Sequence, residues 1–144
     1  MRISDVLRAK GDQEVVTVRP DLTVRELVAV LAEHNIGAVV VASDGDPVLG
    51  IASERDVVRH LTSGPEVLDQ PVEQIMTSEV HTCEPQVSVD SLMHLMTEQR
   101  IRHVPVMVDG ALAGIISIGD VVKSRINELE FERDQLTSYV THAQ

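Results

Sequence analysis

The chain has no tryptophan, one phenylalanine and one tyrosine among 144 residues. Its core is therefore aliphatic, and it holds almost no aromatic face on which a base or sugar could stack. A nucleobase pocket in such a protein has to be walled by Val, Ile, Leu and backbone. A single cysteine, Cys83, excludes an internal disulfide. Basic residues are also scarce: 12 Lys and Arg stand against 23 Asp and Glu, for a net charge of −11. Nucleic-acid polymers and anionic lipid are bound by neutralising phosphates with Lys and Arg, so this balance argues against both. No apolar run of membrane-spanning length and no signal-peptide core is present, and a reducing, cytoplasmic compartment is expected. The six His lack the short paired spacing of a zinc site, and there is no second Cys to join them. No nucleophile, base and orienting group recur together, so no catalysis and no metal are expected.

What the chain does have is an internal repeat. Residues 17 to 58 recur as residues 82 to 122, at an offset of 65 that falls to 64 after one deletion in a turn. Identical pairs include Thr17/Thr82, Pro20/Pro85, Val41/Val106, Gly50/Gly114, Ser53/Ser117 and Asp56/Asp120. Two copies of a long period imply a pair of units facing each other across a pseudo-twofold axis rather than a stacked array. A unit of about 60 residues buries too little surface to be robust alone, so the halves need one another.

Periodicity alternates within each copy. Val24, Leu27, Val28 and Leu31 form a helical stripe, opened by a capping box of Thr23 with Glu26. Residues 38–42, a turn at 44–47 and residues 48–52 read as a hairpin of buried strands, and a second helix follows from Ser53 to Leu61. A short strand at 15–18 precedes them. The second copy repeats the order: strand at 80–83, helix at 88–99, strands at 103–108 and 112–117, then a helix from Gly119. Even the preceding helical turns match, Ile3, Val6 and Leu7 corresponding to Val72, Ile75 and Met76 at an offset of 69. Thr62 to Pro71 is the expected linker. The expected division is residues 1–62, 63–124 and a helical extension at 125–144.

Thr17-Val-Arg-Pro20, the run 36–41 (IGAVVV), the run 50–56 (GIASERD) and their second copies at 101–106 (IRHVPV) and 114–120 (GIISIGD) resemble a pair of cystathionine β-synthase (CBS) domains, a Bateman module of the free-standing bacterial type. The resemblance implies an α/β (α+β) fold of two β-α-β-β-α repeats packed through their sheets, with clefts for an adenine-containing ligand.

A carboxylate accepts the two vicinal hydroxyls of a ribose, and Asp56 and Asp120 stand where a strand passes into a helix. Ser53 and Ser117 sit at the helix starts, where unpaired N–H groups suit a phosphate. The same Ser and Asp also make an ordinary N-cap, which stabilises by about 1 kcal/mol without any ligand. The resemblance implies that each cleft is completed by the other repeat. The stronger cleft would comprise Thr17, Leu22, Ile36, Gly37, Ala38, Arg102, Ser117, Gly119 and Asp120, with Arg102 on the phosphate and Lys123 in support. The weaker would comprise Ser53, Arg55, Asp56, Thr82, Val87, Ile101, Arg102 and His103. Cys83, in a short apolar strand, reads as an inert buried thiol, with a redox switch as the alternative that its nearness to the cleft keeps open.

Outside the repeat, Ile126, Leu129, Leu136 and Val140 mark an amphipathic helix to about residue 140. The stripe suits a homodimer contact, or packing on its own module. The expected function is a non-catalytic sensor or carrier of an adenine nucleotide, among AMP, ADP, ATP, NAD and S-adenosylmethionine. The alternative is a structural or protein-binding module whose clefts stay empty, and a downstream protein partner is expected on either reading.

Overall fold

The computed structural model describes residues 1–11 and 15–142. Its elements run α1 (Ile3–Lys10), β1 (Thr17–Val18), α2 (Val24–His34), β2 (Ala38–Ser43), β3 (Asp46–Ser53) and α3 (Glu54–Leu61), then α4 (Val89–Gln99), β4 (His103–Val108), β5 (Ala111–Ser117) and α5 (Ile118–His142). Two short 3-10 turns, Pro65–Asp69 and Val72–Gln74, join the halves. The capping box at α2 forms as expected, Glu26 N–H donating to Thr23 Oγ1 at 3.2 Å and Thr23 N–H to Glu26 Oε1 at 3.4 Å.

In the first copy β1 pairs parallel with β2, and β2 antiparallel with β3. Val39, Val40 and Val41 are all fully buried, although alternate residues of a strand point to opposite faces, so this small sheet is covered on both sides. The second copy retains the hairpin of β4 with β5, while its leading strand shrinks to a single parallel bridge, Cys83 to Val106. Cys83 N–H donates to Pro105 O, and Met107 N–H donates to Cys83 O. The next rung back would need an N–H from Pro105, which has none, so the strand expected at 80–83 stops there. In the first copy the strand expected at 15–18 is ordered as a ladder only at Thr17 and Val18. The hairpin turns also differ. Both connect their strands through two residues, but Asp109 and Gly110 adopt left-handed backbone, φ 50° and 80°, as a primed turn requires, whereas neither Asp44 nor Gly45 of the first copy does.

The main departure from the linear order is an exchange of segments. Ile3 and Val6 of α1 pack with Val89, Leu92, Met96, Val104 and Ile116 in the core of the second copy. Val67, Val72 and Ile75 pack with Leu27, Val39, Val41 and Val57 in the core of the first. The linker is thus structural: Val24 N–H donates to Gln70 O, and Val72 N–H to Leu22 O. Each large aliphatic side chain fully buried in this way contributes about 1.5–3 kcal/mol. Strands β3 and β5 of the two copies lie in contact.

Candidate functional site

Both turns are built alike. Ser117 N–H donates to Asp120 Oδ2 at 2.9 Å while Asp120 N–H donates to Ser117 Oγ at 3.1 Å. Ser53 and Asp56 repeat this at 2.9 and 3.2 Å, with a further bond from Ser53 Oγ to Asp56 Oδ2 at 3.0 Å. The capping role is therefore occupied in both copies. In each it uses Oδ2 of the carboxylate.

An open cavity of about 1550 Å³ lies beside Asp120. That volume accommodates a whole nucleotide. Thr17, Ile36, Gly37 and Ala38 of the first copy face Ser117 and Asp120 of the second across it. Three residues assigned to this cleft from the sequence lie outside its lining: Leu22 packs on the first core, Gly119 stands one residue before Asp120 on α5, and Arg102 is exposed at the start of β4. His103, expected in the Asp56 cleft, lines this cavity, and its imidazole lies over Gly37, where a Cβ would come within 3.8 Å of Cε1 and Nε2. Burial lowers the His103 pKa, as do Lys10 and Arg102, while Asp120 and Glu54 oppose them. The ring is therefore neutral at pH 7.

Sequence reasoning missed the contribution of α1. Its last residue, Lys10, donates from Nζ to Asp120 Oδ2 at 2.8 Å and to Ile115 O at 2.9 Å. Burial by itself would raise the Asp120 carboxyl, but the Lys10 ammonium and the Ser117 N–H and hydroxyl outweigh it, and its pKa is lowered. Leu7 and Arg8 line the same cavity, with His34 and Asn35 from the end of α2. The matching of α1 to the turns before the second copy was the available signal. Its tertiary consequence, that α1 crosses to the Asp120 side, was not.

Around Ile51 the place that the Lys10 side chain takes at Ile115 is held by backbone. Thr77 pairs with Ile51, N–H to carbonyl at 2.8 Å and back at 3.0 Å. At an offset of 69 Thr77 corresponds to Arg8, and Ile51 is the repeat partner of Ile115. Backbone thus covers Ile51, whereas the Ile115 carbonyl is met by the Lys10 side chain. Of the remaining residues assigned to the Asp56 cleft, Ser53, Arg55, Asp56, Thr82, Val87 and Ile101 do not line the cavity, and Val87 and Ile101 pack on the second core. Among the described residues no cluster of His, Cys, Asp and Glu is arranged to hold a metal ion.

The CBS domain model matches residues 3–63 and 72–127, the two copies with their exchanged leading segments. The chain belongs to the CBS-domain family. This CBS pair is 38% identical to the mitochondrial CBS domain-containing protein CBSX3 of Arabidopsis thaliana, over 96% of this chain and 71% of that one. It is 28% identical to the CBS domain-containing protein YhcV of Bacillus subtilis, over 79% of this chain and 81% of that one. Among solved structures, the CBS-domain containing protein ATU1752 from Agrobacterium tumefaciens superposes with a TM-score of 0.83 at 48% identity, covering 87% of this chain and 99% of that one. The CBS pair of protein MJ0100, solved in complex with 5′-methylthioadenosine and S-adenosyl-L-methionine, superposes at 0.78 with 22% identity, over 89% of this chain and 98% of that one, a likeness of fold. In the inosine-5′-monophosphate dehydrogenase of Methanocaldococcus jannaschii the matched region is 22% of the enzyme.

Proposed function

We propose that this CBS pair is a non-catalytic regulatory sensor whose Asp120 cleft binds an adenosyl ligand, with Asp120 accepting the ribose hydroxyls and the apolar wall of Ile36 and Ala38 covering the base. The observation that carries this reading is the cavity itself, which sets the Thr17 and Ile36–Ala38 side of one copy against Ser117 and Asp120 of the other. The adenosyl ligands of the MJ0100 complex support the same ligand class. The Asp56 side, where the Thr77–Ile51 pairing stands in the way, is assigned the weaker role. The functional division remains two CBS repeats, 1–62 and 63–124, with 125–144 as an extension. Cys83 is a free buried thiol, and no helix among the described residues is long and apolar enough to cross a membrane.

The signal is transmitted through a homodimer. Val58 and Val122, partners in the repeat, are both exposed, and Ile126, Leu129, Leu136, Tyr139 and Val140 are at least half uncovered or nearly so along α5. An apolar helix face of this extent is ordinarily covered by a partner. A protein-interaction role with empty clefts is the second reading, favoured by that same face.

Thermal shift with AMP, ADP, ATP, NAD and S-adenosylmethionine separates the two. A ligand at 100 times its Kd adds about 2.7 kcal/mol of stability. A rise in Tm with at least one ligand, and no product formed from it, is expected; no shift with any of them leaves the interaction role.

A further inference from the structure

Among the described residues that line the Asp120 cleft, two cations, Arg8 and Lys10, stand against one carboxylate, Asp120, in a chain whose net charge is −11. Lys10 is central to this charge. An ammonium has three donors. Two of them are directed at Asp120 Oδ2 and the Ile115 carbonyl, so the ion pair spans the surface where a ribose would rest.

A ligand whose hydroxyls take Asp120 therefore competes with Lys10, and the outcome depends on what the ligand offers the ammonium in return. A neutral nucleoside offers nothing and leaves a partly buried cation without its partner. A sulfonium ligand brings a second positive charge. A phosphate brings the anion that the ammonium has lost, together with a charge-assisted hydrogen bond. The pair is also well placed to exchange partners: its side chains are 29% and 22% exposed, so neither is sealed in the core.

We propose that Lys10 is the specificity-determining residue of this cleft, its ammonium passing from Asp120 to the phosphate of a phosphorylated adenosyl ligand as the ribose takes Asp120. The other copy lacks this device. The position corresponding to Lys10 at the offset of 69 is Glu79, whose charge has the opposite sign. The assignment rests on the adenosyl reading of the site and adds to it the charge of the ligand.

The test is calorimetric titration of the full-length protein and its Lys10→Gln and Lys10→Arg variants with AMP, adenosine and S-adenosylmethionine. Native protein is expected to bind AMP at least tenfold more tightly than the other two. Lys10→Gln should weaken AMP by about tenfold to a hundredfold and leave adenosine unchanged or tighter, because Asp120 is released. Lys10→Arg should keep the preference for AMP. AMP and adenosine weakening by the same factor in a folded Lys10→Gln protein would make Lys10 a structural tie and overturn the assignment alone. So would a preference that survives Lys10→Gln and disappears in Arg102→Ala, which would transfer the role to Arg102. Native protein that binds none of the three, nor ADP or ATP, would overturn the adenosyl reading and this assignment with it.

Discussion

Gly114 lies directly beneath Leu7: a Cβ on the glycine would come 2.6 Å from Leu7 Cδ2. Its repeat partner Gly50 lies beneath Met76, with a Cβ 2.7 Å from both Met76 Sδ and the Thr77 carbonyl oxygen. Leu7 and Met76 are themselves counterparts in the segments that the two copies exchange. The repeated glycine is thus the gap through which each exchanged segment crosses a strand, rather than a turn residue. Neither glycine has a left-handed backbone, so the requirement is for space.

The first prediction follows from what each glycine would strike. Gly114→Ala presses on the end of a flexible leucine, while Gly50→Ala presses on backbone already paired to Ile51. Overpacking costs about 1–3 kcal/mol. Urea unfolding should place Gly50→Ala at or above the upper end and Gly114→Ala near the lower. Equal values would mean that the two crossings are equally compliant.

Asp120→Ala should weaken AMP binding by about 1.5–3 kcal/mol, the worth of hydrogen bonds to a charged group, and Asp56→Ala should matter less. The openness of one cleft and the Thr77–Ile51 pairing at the other are the reasons. Calorimetry on both variants tests the ranking, and a larger loss in Asp56→Ala would reverse the assignment of the clefts.

Two groups in the cleft set its response to acid. The Asp120 pKa is lowered, so its contribution to stability is present above the ordinary carboxylate value and is lost as pH falls through the folded one. The His103 pKa is lowered chiefly by burial, so the unfolded chain takes up a proton first, and stability is lost as pH drops from about 6.5 through the folded value. His103→Gln should therefore flatten Tm between pH 7 and 5, leaving the steeper loss below about pH 4 in place. Thermal melts of the two proteins across that range provide the measurement, and identical slopes from pH 7 to 5 would count against the buried neutral ring.

Cys83 is buried in the second core, and desolvation pushes its thiol up to about 11. Its thiolate fraction at pH 8 is small and its sulfur is covered. An aromatic disulfide reagent should label native protein at pH 8 orders of magnitude more slowly than protein in 6 M guanidinium. Fast labelling of the native form would restore a redox role. Because the folded pKa is raised, this residue's contribution is intact below the ordinary thiol value and declines as pH rises toward 11.

Deleting residues 126–144 removes most of the exposed apolar stripe of α5 while leaving Val121, which lies in the second core. Apolar side chains covered at an interface are worth about 1.5–3 kcal/mol each. Light scattering over a dilution series should show a full-length dimer and a truncated protein that dissociates at higher concentration. A full-length monomer would remove the dimer, and an equally tight truncated dimer would remove the helix from it.

Much of this was legible in the chain because it is local. Helical stripes, the Thr23 capping box, the buried valine run and the Ser-x-x-Asp turns are set by neighbours a few residues apart, and their double occurrence announced a pseudo-symmetric pair. The repeat also marked Asp120 and Ser117, and the family resemblance Thr17 and the segment 36–38, all of which the fold gathers around one cavity. What only tertiary structure decided concerns partners distant along the chain. Pro105 has no N–H to extend a strand whose ladder it would have joined. Leu7 and Met76 cross into opposite copies, which periodicity cannot foretell, since an apolar stripe specifies that it is buried but not against what. Lys10 reaches Asp120 for the same reason: helix α1 fixes the residue's position, but the fold of the opposite copy supplies the carboxylate. The two copies differ too in what meets the matching strand, an ammonium at Ile115 and a backbone pair at Ile51.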